Sequence, residues 1–388
     1  MFTSIIDNDL YKFTMQNAVC KLYPRAHTLY NFTDRNGLEY PLNFATELRQ
    51  RVDAMAALSL KADEYKFLAD RCYYLDPVYL DFLKNYRFDP NEVIISQPEG
   101  KLDVKINGPW YRTILWEVPL LAMISQLYFE MTGSVPENTA EVIAKTKTKA
   151  DSLASMGTPF SDFGTRRRYS LANHQLVVKT LKENSRDFMM GTSNVFLAML
   201  NDLTPVGTMA HEWIMFHAAT YGYLSANRMA FERWVNVYQG EVGIALSDTY
   251  TTETFLRDFT TKEAKLFDGV RQDSGDPIEF ARKMIDHYQS LHIDPRIKTI
   301  VFSDSLNLDT VSQIREFCDG KIRDTYGIGT YFTNDVGVTP LNIVIKMLTC
   351  ARDAQSPRVN TVKLSDDKGK HMGDPQTVKI CQDRIRSA

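Results

Sequence analysis

The chain has 388 residues and a formal charge of −3 at pH 7, with 44% hydrophobic and 24% charged residues. This is the make-up of a folded globular protein, not of a disordered or fibrous one, and it excludes a general polyanion binder, which would need a cationic field. The five cysteines, Cys20, Cys72, Cys318, Cys350 and Cys381, lack C-x-x-C spacing, as reduced thiols do, so neither disulfides nor a zinc site is expected.

At the start, MFTSIIDNDLYKF has no basic stretch followed by an apolar core. The longest apolar run, VPLLAMISQLYF, falls short of the roughly 20 residues of a membrane span, so a cytoplasmic location is expected. Asp7 and Asp9 are placed to cap a helix from about Leu10 to Leu22, ended by Pro24. Mixed helices and strands follow to about residue 130, and KTKTK at 145 to 149 reads as a solvated helical face. From about residue 155 a unit recurs: a short apolar or β-branched segment, a Gly/Asp/Ser/Thr turn, then a helix. PFSDFGTRRRYSLANHQLVVKTL, DFMMGTSNVFLAML and TPVGTMAHEWIMFHAA are early examples. VGIALSDTYTTETFLRDF, LFDGVRQDSGDPIEFARKMIDHY, KTIVFSDSLNLDTVSQIREF and RDTYGIGTYFTND then follow in a row. The seven turns predict an α/β fold, an irregular βα barrel over 131–339 with all turns on one face, after an N-terminal α+β domain over 1–130. PLNIVIKMLTC and VNTVKLSDDKGK read as strands that return, within 340–388, to complete that first domain.

The turns carry Asp162, Arg166, Arg167, Arg168, Ser193, His211, Asp248, Arg271, Asp273, Ser303, Asp304, Gly327, Gly329 and Thr330. Cations, carboxylates and bare amides in alternation suit a phosphorylated, metal-bound substrate. The glycines of GIGT, at a helix start, let phosphate oxygens reach backbone N–H groups. Arg166 to Arg168 stand before a predicted helix, where cations oppose the dipole unless an anion sits there. Asp273 and Asp304 suit Mg2+ that bridges phosphate oxygens.

Each feature also has a plain structural reading. Asp276 with Pro277 is an N-cap followed by an N1 proline, the arginine run is a solvated helix start, Tyr11 is a core residue, and His211 is a hydrogen-bonded structural group. HEWIMFH is not a zincin motif, because His217 lies six positions on and faces away from His211 on a helix. No GxxxxGK[ST] occurs, so a bound nucleotide is not held by a P-loop.

Taken in order, DLYKFTMQ, SDFGTRRR, GTSN, GTMAHEW, ALSDTYTTETFLRDF, RQDSGDP, VFSDSLNLDTV, YGIGT and PLNIVIKM resemble the nicotinate phosphoribosyltransferase family over nearly the whole chain. The resemblance implies ATP-coupled transfer of phosphoribosyl from 5-phosphoribosyl 1-diphosphate to nicotinate, giving nicotinate mononucleotide and diphosphate in NAD salvage. It implies Mg2+, ATP as co-substrate and a homodimer with shared sites, without nucleic acid or membrane. His211 becomes the residue that ATP phosphorylates: a neutral imidazole is a competent nucleophile, and a phosphoimidazole is labile enough to be hydrolysed later. Gly207 and Ala210 leave room for the phosphoryl group, and Asp248 matches the acid that orients the histidine. Phe163 matches an aromatic stacked under the pyridine ring, and Tyr11 its sandwiching partner from the other subunit. Arg166 and Arg271 match basic residues beside the ring substituent and the ribosyl diphosphate, and Asp273 lines the ribosyl side. Ser303, Asp304, Gly327, Gly329 and Thr330 fall in loops that hold ribose and 5-phosphate.

Ser193 selects between relatives. Nicotinamide-specific enzymes carry aspartate there, which would repel nicotinate's carboxylate, whereas a serine hydroxyl can donate to it. They also place glutamate where Ala210 stands. Quinolinate-decarboxylating relatives are shorter and lack GTMAHEW. A nucleotide-sensing barrel without catalysis is the other alternative, and it would have no need for the histidine, Asp248 and the metal carboxylates together.

Overall fold

The computed structural model describes residues 2–185, 187–367 and 371–387. The first helix, Leu10–Leu22, forms where its pattern predicts, but its expected caps are used elsewhere. Asp9 occupies the N-cap in extended backbone and makes no side-chain bond to the helix. Its Oδ1 accepts from Ser193 Oγ at 2.8 Å, and Asp7 binds Arg168 and Asn194. Both carboxylates are buried, and a buried charge needs charge-assisted donors more than a helix end needs a cap.

Packing divides the chain into two compact units, Met1–Gly207 with Ile328–Met347, and Thr208–Gly327 with Leu348–Ala388. In the first, strands β1 (His27–Asp34) and β2 (Val93–Ser96) both pair antiparallel with β3 (Asp103–Pro109), so that Tyr30 and Val93 flank Ile106. Burial alternates along β1, placing Thr28, Tyr30 and Phe32 on the core face. The helix Glu117–Thr132 has apolar residues all round and is buried on nearly every side. The helical stretch Trp110–Thr132 is thus long and apolar enough to cross a membrane, a length the uninterrupted run VPLLAMISQLYF lacks, although 78% of its most apolar window is buried within the protein.

Strands β4 (Phe160–Asp162) and β5 (Met189–Thr192) pair in parallel and lead to helices Leu171–Asn184 and Val195–Leu200. Gly164 follows β4 where no side chain fits, since a Cβ there would lie 2.2 Å from Thr333 Cγ2. The third expected unit, TPVGTM, forms no strand and makes only an isolated bridge between Thr192 and Pro205. Pro205 has no N–H to extend a ladder. In KTKTK, Lys145, Lys147 and Thr148 are solvated, and Thr146 is buried. Lys149, with 8% of its side chain exposed, donates to Tyr331 O and Asp335 at 2.6 Å each.

In the second unit β6 (Ile244–Leu246), β7 (Gly269–Gln272), β8 (Thr299–Phe302) and β9 (Arg323–Ile328) pair successively in parallel. Helices Thr252–Asp258, Pro277–Ser290 and Leu308–Cys318 separate them, so the loops after β6, β7 and β8 share the carboxyl edge of one sheet. Asp276 caps the second of these helices, accepting from the N–H groups of Ile278 and Glu279. The rings of Phe255, Phe259 and Phe267 lie 5.5 to 6.1 Å from that of Phe231, and Trp213 stands 5.6 Å from Trp234. Truncating one such phenylalanine to alanine costs about 3–5 kcal/mol.

β10 (Ile343–Ala351) neighbours β1, with Arg35 N–H donating to Asn342 O, and its end pairs antiparallel with β11 (Val359–Asn360). In VNTVKLSDDKGK the strand is therefore two residues long, and 368–370 lie outside the described residues. The whole is a mixed α/β fold with one antiparallel and one parallel sheet, and no sheet closes on itself among the described residues.

Candidate active site

His211 opens the helix His211–Tyr221 and is 4% exposed. Its Nδ1 lies 3.0 Å from Thr249 Oγ1 in the loop after β6, and its Nε2 lies 2.9 Å from Asp273 Oδ2 in the loop after β7. The Lys363 ammonium stands 2.8 Å from the same Nε2. Burial, together with Lys363, pushes the imidazole down to about 4 despite Asp248 and Asp273, so the ring is neutral and nucleophilic at pH 7. Asp273 is carried well below the usual carboxylate range: burial opposes this, but the His211 bond, Arg271 and Lys363 outweigh it.

The acid within hydrogen-bond reach of the imidazole is thus Asp273. Asp248 stands 3.8 Å from Nε2 and accepts instead from Ser274 Oγ at 2.6 Å, with Lys363 Nζ at 3.3 Å. Its Oδ1 is buried without a hydrogen-bond partner, as is Arg271 Nε. Ser303 Oγ donates to Asp273 Oδ1 at 3.0 Å, and Asp304 accepts from Ser305 Oγ at 3.1 Å. His211, Asp248 and Asp273 offer ligand atoms within 4.8 Å of one another, a group that does not include Asp304. That group fits Mg2+ poorly, because the ion wants an octahedron of oxygens and an ammonium already stands among the carboxylates. His217, on the far side of the helix, bonds Trp213 O at 2.7 Å and stacks on Tyr221.

The remaining expected residues lie in the first unit, except Gly327, which is in β9, and Ala210, which is the N-cap of His211–Tyr221. The three arginines have three fates. Arg168 is buried and gives two parallel 2.7 Å bonds to Asp7, so its counter-ion is a protein carboxylate, where a ligand anion had been expected. Arg167 donates to Ile343 O and is pushed down to about 10 by burial, with Arg166 and Arg35 adding to it. Arg166 keeps 42% of its side chain exposed, with Nη1 3.7 Å from Glu117 Oε1. Burial raises Glu117, but Lys12, Lys346 and Arg166 outweigh it and hold it down to about 2, and Lys12 Nζ is 2.5 Å away.

Tyr11 is half-buried, with Lys12 Nζ 5.2 Å from its ring centroid. Phe163, also half-buried, gives its N–H to Ile328 O. Gly329 starts the short helix Thr330–Thr333, and a Cβ there would come within 3.2 Å of Phe163 O. Gly207, expected to leave space beside the histidine, accommodates Tyr11: at φ +154, its Cβ would lie 3.0 Å from Tyr11 N. Ser193 Oγ gives its one proton to Asp9, whose carboxyl burial pushes up against bonds from Thr165 and Ser193. Sequence reasoning singled out neither Asp9 as a site acid nor Thr249 and Lys363. The last two stand next to Asp248 and in VNTVKLSDDKGK, where no spacing marks them.

The model described as the nicotinate phosphoribosyltransferase (NAPRTase) family matches residues 158–387, and that of its N-terminal domain matches 6–125. The chain is 51% identical over 381 residues, 98% of each chain, to nicotinate phosphoribosyltransferase of Desulforapulum autotrophicum. It is 50% identical over 382 residues, again 98% of each, to the protein of that name from Chromohalobacter salexigens. The crystal structure of nicotinate phosphoribosyltransferase from Porphyromonas gingivalis is similar at a TM-score of 0.97 and 45% identity, covering 99% of this chain and 100% of that one.

Proposed function

Since this chain belongs to the nicotinate phosphoribosyltransferase family, we propose that it makes nicotinate mononucleotide and diphosphate from nicotinate and 5-phosphoribosyl 1-diphosphate in NAD salvage, coupled to ATP through a phosphohistidine at His211. The observation that supports the coupling is a buried neutral imidazole, held between Thr249 and Asp273 at the carboxyl edge of parallel strands. Such a ring attacks the γ-phosphorus of ATP, and hydrolysis of the labile phosphoimidazole later releases the stored free energy.

In the glycosyl step the pyridine nitrogen forms a bond to the ribosyl carbon while the bond to the diphosphate oxygen breaks. Positioning and charge stabilisation supply most of the acceleration. Phe163 and Tyr11 flank the pyridine ring, Tyr11 from the second copy of a homodimer. Arg166 takes the ring carboxylate. Arg271 brings its unpartnered Nε to the diphosphate, and Asp273 lines the ribosyl side. Ser303, Asp304, Gly327, Gly329 and Thr330 hold ribose and 5-phosphate. Asp273 and Asp304 would hold Mg2+, which would supply charge neutralisation to the phosphate oxygens. Ser193 reads the carboxylate by turning its hydroxyl from Asp9, which burial has moved toward the neutral, donating form.

The recurrence of strand and helix supports an irregular βα barrel over 131–339, with 1–130, joined by 340–388, as an α+β domain. A cytoplasmic location accords with the substrates. The test is nicotinate mononucleotide formation with and without ATP, beside nicotinamide as alternative acceptor. Nicotinate should be the acceptor and ATP should raise the yield; preference for nicotinamide would transfer the chain to the amide-using enzymes.

A further inference from the structure

We propose that the Lys363 ammonium is the counter-charge of the phosphoryl group on His211, and that Nε2 is the nitrogen that carries it. This rests on the phosphohistidine reading and adds the atom and its partner.

An imidazole nitrogen has one site in the ring plane, either a proton or a lone pair, and an ammonium has only donors. The 2.8 Å contact from Lys363 Nζ therefore requires a bare Nε2, which leaves the ring proton on Nδ1, where Thr249 Oγ1 accepts it at 3.0 Å. The 2.9 Å contact to Asp273 requires the opposite tautomer. Of the two, only the first presents a nucleophilic lone pair at the charged end of the ring.

Lys363 is held in place by its own segment. Its backbone exchanges hydrogen bonds with Met372, and Leu364 N–H donates to Thr249 O at 2.9 Å. Asp366 accepts from Thr252 N and Oγ1, and its N–H donates to Ser274 Oγ, which in turn donates to Asp248. Residues 363–366 are thus strapped across the loops after β6 and β7, and 9% of the lysine side chain is exposed.

In the transfer, the Nε2 lone pair forms a bond to the γ-phosphorus. The bond from phosphorus to the β–γ bridging oxygen breaks, and its electron pair leaves with ADP. The ring proton stays on Nδ1, hydrogen-bonded to Thr249 Oγ1. The new phosphoryl oxygens then face Asp273 and Asp248, whose carboxylates lie 2.9 and 3.8 Å from Nε2. Without a cation these like charges repel. Lys363, already 3.3 Å from Asp248 and 4.0 Å from Asp273, turns from the nitrogen to the oxygens and neutralises them.

The test labels the full-length enzyme with γ-labelled ATP in wild type, Lys363→Gln and Lys363→Arg, reading phosphoenzyme formation and lifetime. Phosphorus–nitrogen NMR coupling in the wild type locates the bond. We expect phosphate on Nε2, formation slowed on the order of 100-fold in Lys363→Gln, and substantial rescue in Lys363→Arg. Phosphate on Nδ1, or wild-type formation and lifetime in Lys363→Gln, overturns the inference alone. A wild type that takes no label overturns the phosphohistidine reading with it. Should Lys363→Gln not fold, the bonded nitrogen and the Lys363→Arg rates decide.

Discussion

In the first unit Arg168 meets Asp7 through two parallel hydrogen bonds, one cation to one carboxylate, and both side chains are almost wholly buried. In the second, a single imidazole nitrogen is claimed by a carboxylate and an ammonium that cannot both bond it, while a second carboxylate keeps an oxygen without a partner. The first arrangement matches one cation to one carboxylate, so its charge is neutralised without a ligand, although Arg168 Nε is left without a hydrogen-bond partner among the described residues. The second is over-supplied with charge around one atom, and its competing contacts are resolved when that atom changes its bonding. Buried charge in this protein thus serves two ends, and the count and geometry of partners distinguish them.

The sharpest way to break the comparison is to remove the contested ring. His211→Asn should abolish nicotinate-dependent ATP turnover yet leave slow ATP-independent synthesis at high ribosyl diphosphate, since the other groups still orient the reactants. Undiminished ATP turnover in the variant contradicts the account.

Breaking the closed pair should act on folding instead. Arg168→Met leaves Asp7 buried and unpaired, and should cost about 3–5 kcal/mol in urea denaturation. Replacing both partners by apolar residues should return part of that loss. If the single variant keeps full stability, Arg168 is not a scaffold residue.

His217 sharpens the contrast within one helix, six positions from His211. Burial, with Arg233 adding, pushes it down to about 4 despite its bond to Trp213 O. The unfolded chain takes up this proton near the ordinary histidine value of about 6.5 and the folded one only near 4, so stability present above 6.5 is lost as pH falls through that window, by about 3 kcal/mol in full. His217→Phe should flatten this fall in melting temperature between pH 6.5 and 4 while sparing ATP turnover; an unchanged pH profile would remove His217 from the explanation.

The smallest effect is expected at Ser193. Ser193→Asp sets a second carboxylate beside Asp9 and one against the substrate's own, and kcat/KM for nicotinate should fall about tenfold. An unchanged value would mean that Ser193 does not read the carboxylate.

Much of the second unit was legible because its strands are short segments such as TIVF, each followed by a polar turn, and its helices begin at marked caps, as in DSGDP, where Asp276 and Pro277 act as their types predict. The arginine run was not, since three identical neighbours differ only in what the fold brings to each. Pro205 and Gly207 lie in a segment that reads as a strand, and packing against Thr192 and Tyr11 decides otherwise. Lys363 could not be read at all: it stands 152 positions from His211, in a polar stretch without a motif, and only the tertiary strap delivers it.

The most direct measurement of the central claim is the position of phosphate after the wild-type enzyme meets ATP alone. Fragment-ion mass spectrometry separates His211 from His217 on the same helix, and a phosphoramidate is released by acid. The account predicts acid-labile phosphate on His211 and none on His217. Phosphate on another residue, or a fully active enzyme that never carries any, would contradict it.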